Sequence, residues 1–349
     1  MSQNIRWGVI GSGGIARRRT IPEGIVPAAN AELAVVFDVN ARANREVARQ
    51  FNAQAAGSIR ELLDADIDAV YIATPAHLHA EQAGQAAGAG KHVFCEKPLG
   101  LTVADAKRML GACCKAKVKL GTAFMMRFHS QHQAALELIR KGKLGKLVYA
   151  RAQLSCWYPP MSGAWRQNPK LGGGGSLIDM GGHCLDLLEM FFGPIEAVSC
   201  RTQRLVHRYA SEDSAVVLAS FKNGALATVD TCFCIPDNSS KNRLELYGSK
   251  GSLLAQGTIG QGEAGEMTAL LKGEDRSYDA QQTRATGGSL IIAPPPVNMY
   301  RAEIEAFSQA LLDGRDAKES ALAGLRSQIV LAACYRSAST GREVKVAGA

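Results

Sequence analysis

Ile5-Arg6-Trp7-Gly8-Val9-Ile10-Gly11-Ser12-Gly13-Gly14-Ile15-Ala16 is the stretch that decides the fold. Its first six residues read as a short, mostly apolar strand, and the glycines that follow open a helical pattern. The turn fits G-x-G-x-x-G/A with Ala16 in the third place. Gly11 permits a tight turn, Gly13 lets the backbone approach a pyrophosphate, and Ala16 keeps the helix close to the sheet. Gly14 and Ile15 fall at the helix start, where backbone N–H groups face phosphates. Strand before and helix after make this a dinucleotide-binding turn.

Working outward, Leu33–Phe37, Ala69–Ala73, His92–Cys95 and Lys119–Ala123 read as further strands with amphipathic helical stretches between them. That alternation implies βαβ units and a doubly wound parallel sheet. Ligands lie at the carboxyl ends of such strands, so the residues there become candidates. Asp38 ends the second strand and can hydrogen-bond the adenosine ribose hydroxyls, favouring NAD, while Arg42 and Arg45 keep NADP possible. Asp38 lies 27 residues after Gly11, beyond the usual ~20, and Pro22 and Pro27 suggest a longer crossover loop. Thr74 and Pro75 begin a turn after the next strand, and His79 follows as a packing or hydrogen-bonding residue near the cofactor. Glu96-Lys97-Pro98 ends another strand, and Pro98 biases Lys97 to extended backbone at the edge. There its ammonium can donate to a substrate hydroxyl.

After about Arg127 the pattern becomes β-rich: Lys146–Leu154, Ala197–Thr202, Ser214–Phe221, Ala225–Phe233 and Arg243–Tyr247, with Asn223-Gly224 as a hairpin signal. The expected organisation is a Rossmann domain over 1–126 and an α+β domain over 127–349. The second domain has an open, mostly antiparallel sheet flanked by helices. Helical patterns at Met299–Leu312 and Ala321–Ser339 precede a short strand at Glu343–Val346. Gly257 to Pro296, rich in Gly, Gln and Pro, reads as a long excursion or mobile loop.

A second constellation runs from Gly172 to Asp186. Asp179 and His183 are i and i+4, hence on one face of a helix, with Asp186 following at i+7. A carboxylate can orient or charge-stabilise an imidazole that takes a hydroxyl proton. Gly181 and Gly182 each cost a helix ~1 kcal/mol relative to Ala, which suggests a close backbone approach.

Composition sets the outer limits. The chain has 349 residues, 46% apolar and 21% charged, the profile of an ordinary globular protein with about two domains. No apolar run approaches the ~18 residues of a membrane span, and no leader pattern opens the chain, so a cytoplasmic protein is expected. Nine cysteines at these spacings suggest neither a disulfide framework nor a metal site. The net charge of +8 is concentrated in Leu101–Arg151, where eleven Lys or Arg face two acids. Without interleaved aromatics this is a solvated face and not a nucleic-acid surface.

Together, Gly11 to Ala16, Asp38, Ala73-Thr74-Pro75 with His79, Gly90 to Leu99, Trp165-Arg166, Gly173 to His183 and Ala333 to Ser337 closely resemble the glucose-fructose oxidoreductase and inositol dehydrogenase family (Gfo/Idh/MocA). The resemblance runs nearly end to end. It implies an NAD(P)-dependent dehydrogenase or reductase that moves hydride between nicotinamide C4 and a secondary alcohol carbon of a sugar, polyol or glycoside. Lys97, Asp179 and His183 would bind the reacting carbinol, with His183 as acid and base. Glu96 would be among the cofactor-binding residues, Phe124, Met125 and Arg127 would lie near the nicotinamide, and Arg127, Trp165, Arg166 and Tyr300 would line the substrate side. Trp157 and Tyr158 are further aromatic candidates for packing against a sugar face. The resemblance also implies a homo-oligomer, dimer or tetramer, through the second sheet. NAD-retaining glycoside cleavage by transient oxidation and elimination is the alternative enzyme class. A dinucleotide-binding sensor is a non-catalytic one.

Overall fold

The computed structural model describes residues 4–271, 280 and 289–348. Six strands, β1 (Ile5–Ile10), β2 (Ala31–Phe37), β3 (Gln54–Ala55), β4 (Ala69–Ile72), β5 (His92–Glu96) and β6 (Leu120–Ala123), form a parallel sheet in the order β3-β2-β1-β4-β5-β6. All four residues of β4 are buried, as a strand covered on both faces requires. The connections reverse direction between β1 and β4. A crevice therefore opens at the carboxyl edge, where Gly11, Asp38, Thr74, Lys97 and Phe124 all lie.

The helix after the glycine turn departs from expectation. Pro22 lies inside a π-helix, Ala16–Ile25, and not in a loop. Pro has no N–H to donate, and its ring crowds the carbonyl four residues back; a widened turn accommodates both. Burial of Ala16, Ile21 and Ile25 holds this helix through the proline, so the extra length ahead of Asp38 is largely helix.

The second sheet has nine strands: β7 (Leu147–Ser155), β8 (Ile195–Gln203), β9 (Ser214–Phe221), β10 (Leu226–Cys232), β11 (Arg243–Gly248), β12 (Gly251–Gln256), β13 (Glu266–Leu271), β14 (Ser289–Ile291) and β15 (Val344–Lys345). Their order is β14-β13-β12-β11-β7-β10-β9-β8-β15, antiparallel except for β7 beside β10. β9 shows the alternation that sets one face inward: Ala215, Val217, Ala219 and Phe221 are buried while Val216 and Leu218 are exposed. The segment from Gly257 to Pro296 is not simply an excursion, because β13 and β14 pair there and extend the sheet. Only two buried positions, Met267 and Ala269, mark β13, too short an alternation to stand out in sequence. Residues 272–279 and 281–288 of that segment lie outside the described residues.

Of the helices α1 (Ala41–Gln50), α2 (Ile59–Asp64), α3 (His79–Gly88), α4 (Val103–Lys115), α5 (Ser130–Arg140), α6 (Pro169–Gly172), α7 (Gly182–Phe192), α8 (Met299–Leu312) and α9 (Lys318–Thr340), the last two matter most for the site. The side chain of Asn298 caps α8 by accepting from the N–H groups of Tyr300 and Arg301. α8 then returns to the first sheet, with Phe307 4.9 Å from Phe94 and 5.9 Å from Trp7 between ring centroids. α9 belongs to both cores: Ala321, Leu325 and Ile329 pack under the parallel sheet, and Val330, Leu331 and Cys334 under the other. Among the described residues no helix is long and apolar enough to cross a membrane.

Candidate active site

Two elements converge on the crevice. β5 delivers Glu96 and Lys97 from the parallel sheet; the Lys97–Pro98 peptide is cis. From the other side comes a π-turn, Leu177–Gly181, which runs into α7 and carries Asp179 and His183. The start of that turn is held by Glu212. Its Oε1 accepts from Gly175 N at 2.8 Å, Leu177 N at 3.1 Å and the Tyr335 hydroxyl at 2.8 Å, and its carbonyl accepts from Ser176 N at 3.1 Å. These are orphan N–H groups of a helix start, satisfied by an anion. The chain approaches so closely that a Cβ on Gly175 would strike the Glu212 carbonyl, and one on Gly174 the Tyr335 hydroxyl. The backbone approach expected at Gly181 and Gly182 is thus tightest a turn earlier.

Asp179 is the hub. Its Oδ1 accepts from Lys97 Nζ at 2.9 Å and from Arg166 Nε at 2.9 Å, and Lys97 Nζ also donates to the Asp179 carbonyl at 2.8 Å. Burial alone would raise this carboxyl, but the Arg166 and Lys97 cations outweigh it and hold Asp179 well below the usual carboxylate range. The Arg166 guanidinium lies over the Trp165 ring, 4.2 Å from its centroid, a cation–π contact that fixes its fork. His183 lines the same cavity and is buried. Burial, reinforced by the Lys97 charge, keeps its imidazole well below its ordinary value and hence neutral. Its Nδ1 has no partner among the described residues, and Asp179 makes no hydrogen bond to it. The expectation that Asp179 orients His183 gives way to an Asp179 engaged by two cations.

The cavity, about 290 Å³, brings together Ile15, Glu96, Lys97, Met125, Arg166, Asp179, His183 and Tyr300 of the expected residues. Others are placed elsewhere. Arg127 forks onto Asp186, with Nε and one terminal nitrogen each 2.7 Å from the carboxylate. Asp186 is accordingly engaged by Arg127 and makes no hydrogen bond to Asp179 or His183 among the described residues. His79 lies between the carbonyl oxygens of Pro98 and Thr74, 2.8 Å from each, tying two edge turns together. The Thr74 hydroxyl donates to Gln82 at 2.5 Å, and Pro75 caps the next turn. The Tyr158 ring packs on Phe233, 4.8 Å between centroids. Trp157 is turned outward and meets His207 edge-on.

Sequence reasoning did not identify Ser155, Cys156, Asp237, Asn242 and Gln261 in the cavity lining, nor Glu303. These come from β7, a hairpin end, a loop and α8, and no local spacing links them. Ser155 Oγ is buried and unpartnered among the described residues.

The glycine turn fits a dinucleotide. Gly11 has φ +86°, and a Cβ on it would sit 2.9 Å from the Thr74 backbone and side chain, so only glycine makes the turn. Asp38 Oδ2 accepts from Gly13 N at 3.0 Å and Oδ1 from Asn40 N at 2.9 Å. That leaves lone pairs of a fixed carboxylate for ribose hydroxyls beside the glycine edge.

Comparison with known proteins bears on the family and the fold. A family model described as oxidoreductase family, NAD-binding Rossmann fold, matches residues 5–124, and one for the GFO/IDH/MocA C-terminal domain matches residues 132–254. The chain is 29% identical to 1,5-anhydro-D-fructose reductase of Ensifer adhaerens, covering 98% of both chains. It is 30% identical to D-xylose 1-dehydrogenase (NADP(+)) 2 of Haloferax volcanii, covering 97% of this chain and 99% of that one. The crystal structure of aldose-aldose oxidoreductase from Caulobacter crescentus complexed with glycerol superposes with TM-score 0.87 at 27% identity, over 98% of this chain and 100% of that chain.

Proposed function

The chain belongs to the GFO/IDH/MocA family of NAD-binding oxidoreductases, and from that premise we propose that it oxidises or reduces one carbinol carbon of a sugar, polyol or glycoside. The observation that carries this reading is the joining of Lys97 and Arg166 on Asp179 Oδ1, with a neutral His183 on the same wall and a dinucleotide turn at the opposite edge. A bound NAD would supply the hydride acceptor at nicotinamide C4. Lys97 donates a hydrogen bond to the reacting oxygen and stabilises negative charge that develops there. His183, neutral at pH 7, takes the hydroxyl proton in oxidation and returns it in reduction. Asp179 holds Lys97 and Arg166 in place and balances their charge.

The polar lining residues Ser155, Asp237, Asn242 and Gln261 suit the remaining hydroxyls of a polyhydroxylated substrate, and the relatives whose names specify sugars support that class. Asp38 selects NAD over NADP. Division of the chain at 126/127 and a cytoplasmic location belong to the same reading. So does assembly to a dimer or tetramer through the outer face of the nine-stranded sheet. Val148, Val216, Leu218 and Leu226 are exposed there, more apolar surface than a free sheet face needs.

The test is NADH absorbance on mixing the protein and NAD with inositols, aldoses and alkyl glycosides. A rise with one class that is lost in His183→Asn is expected. Tight NAD binding with no turnover of any member would overturn the reading.

A further inference from the structure

Glu303 is a carboxyl that the reaction just described does not use. It sits on α8 one turn after Tyr300 and is 1% exposed. Neither of its oxygens has a hydrogen-bond partner among the described residues, and the Tyr300 hydroxyl, also buried, has none either. Leaving such groups unpaired costs about 1–3 kcal/mol each, so their arrangement calls for a ligand. Both line the catalytic cavity together with Ile15, Glu96 and Ala123, at the carboxyl edge of the parallel sheet.

Among the described residues, the nearby cations are already engaged and none is left to balance Glu303. Lys97 and Arg166 are engaged by Asp179, Arg127 by Asp186, and Arg19 by Glu23 at 2.6 Å. The groups facing it are acidic or phenolic: Glu96 from β5, Tyr71 from β4, which donates to Glu96 at 2.6 Å, and Tyr300 on its own helix. Glu303 also lines a second cavity of about 240 Å³ with Asp316, Glu319, Ser320 and Arg127, the last engaged by Asp186. Burial, and then the nearby Glu96, push its carboxyl well above the ordinary range, so the protonated form is favoured until a positive charge arrives beside it.

A nicotinamide ring is positively charged when oxidised and neutral when reduced. We propose that Glu303, backed by Glu96, is the counter-charge that biases this site toward the oxidised dinucleotide. Glu303 releases its proton to solvent through the second cavity when the cationic ring occupies the first, and regains one when hydride has neutralised that ring. This inference rests on the nicotinamide placement proposed above and adds to it a residue that sets which redox form is held more tightly.

Isothermal titration calorimetry of the full-length protein with NAD+ and with NADH, at pH 7.5 in two buffers of different ionisation enthalpy, tests it. Wild type releases protons with NAD+ and not with NADH. Glu303→Gln, which keeps the neutral shape, abolishes the release and weakens NAD+ relative to NADH by about tenfold, or ~1.4 kcal/mol. Equal weakening of both forms, or an unchanged ratio, overturns the proposal. Should the variant not fold, equal proton counts for NAD+ and NADH on wild type overturn it equally well. Binding of both forms with an unchanged ratio removes only this inference, whereas absence of binding by either removes the proposed function too.

Discussion

Replacing Asp179 by Asn tests the arrangement at its hub. The amide oxygen of Asn can still accept from one of the two donors on Oδ1, but the negative charge is gone. Lys97, whose side chain is 10% exposed, and Arg166, 31% exposed, are then left facing each other. Breaking a buried pair by removing one partner costs about 3–5 kcal/mol. Two features lower that here: Lys97 keeps the Asp179 backbone carbonyl as an acceptor at 2.8 Å, and Arg166 reaches solvent. The expected loss is about 2–3 kcal/mol, read from urea unfolding at pH 7. The pH dependence has a definite sign. Asp179 is held below its ordinary value in the folded state, so its contribution is complete above the unfolded value of about 3.9 and disappears as pH falls toward the folded one. The gap between wild type and variant is therefore constant from pH 7 to about 5 and narrows below about 4. A variant as stable as wild type, or a gap that widens in acid, refutes the reasoning.

Other consequences can be checked separately. His183→Asn lowers turnover by about 10²–10⁴-fold while leaving the Kd for NADH within about twofold, because His183 touches no part of the glycine turn; fluorescence titration with NADH separates the two. Glu212→Gln keeps an acceptor for Gly175, Leu177 and Tyr335 but removes its charge, and costs about 1–2 kcal/mol in urea unfolding; an unchanged midpoint contradicts the capping role. Asp38→Ser frees Gly13 N and removes the carboxylate beside the ribose site, so the ratio of NADP to NAD affinity rises at least about tenfold, as measured by paired titrations. Five histidines, His79, His92, His129, His132 and His183, are depressed by burial. Their stabilisation is complete above pH ~6.5 and is lost as pH falls. His132, lowered to about 3, alone contributes about 2 kcal/mol between pH 6.5 and 5, so urea midpoints that do not fall across that range count against its burial as a neutral ring.

The parallel sheet was legible because each of its strands is a short apolar run and each crossover carries its own punctuation, from the Gly11 turn to Thr74-Pro75 and Lys97-Pro98. Asp179 and His183 were singled out because helical spacing is local, whereas the π-turn over Leu177–Gly181 that carries Asp179 leaves no such local mark. Arg127 was placed by resemblance, and nothing in its neighbourhood in sequence signals that Asp186, 59 residues later, takes both arms of its guanidinium. β13 and β14 were hidden because short strands in a Gly- and Gln-rich context carry little alternation. The hairpin at Asn223-Gly224, by contrast, is a feature of two adjacent residues, and Gly224 has the positive φ of +86° that the turn needs.

By itself, then, the sequence determined a dinucleotide-binding parallel sheet, a following β-rich region, and which residue types stand at the strand ends and on the second glycine-rich segment. All of these depend on neighbours within a strand, a turn or a helix. Tertiary structure alone decided that Asp179 serves two cations and not His183, that Glu212 secures the turn carrying it, and that Glu303 enters the cavity without a partner among the described residues. Those facts are set by side chains tens to hundreds of residues apart, whose pairing follows from how α8, α9 and the two sheets pack, and charge pairing in a buried site is a property of that packing.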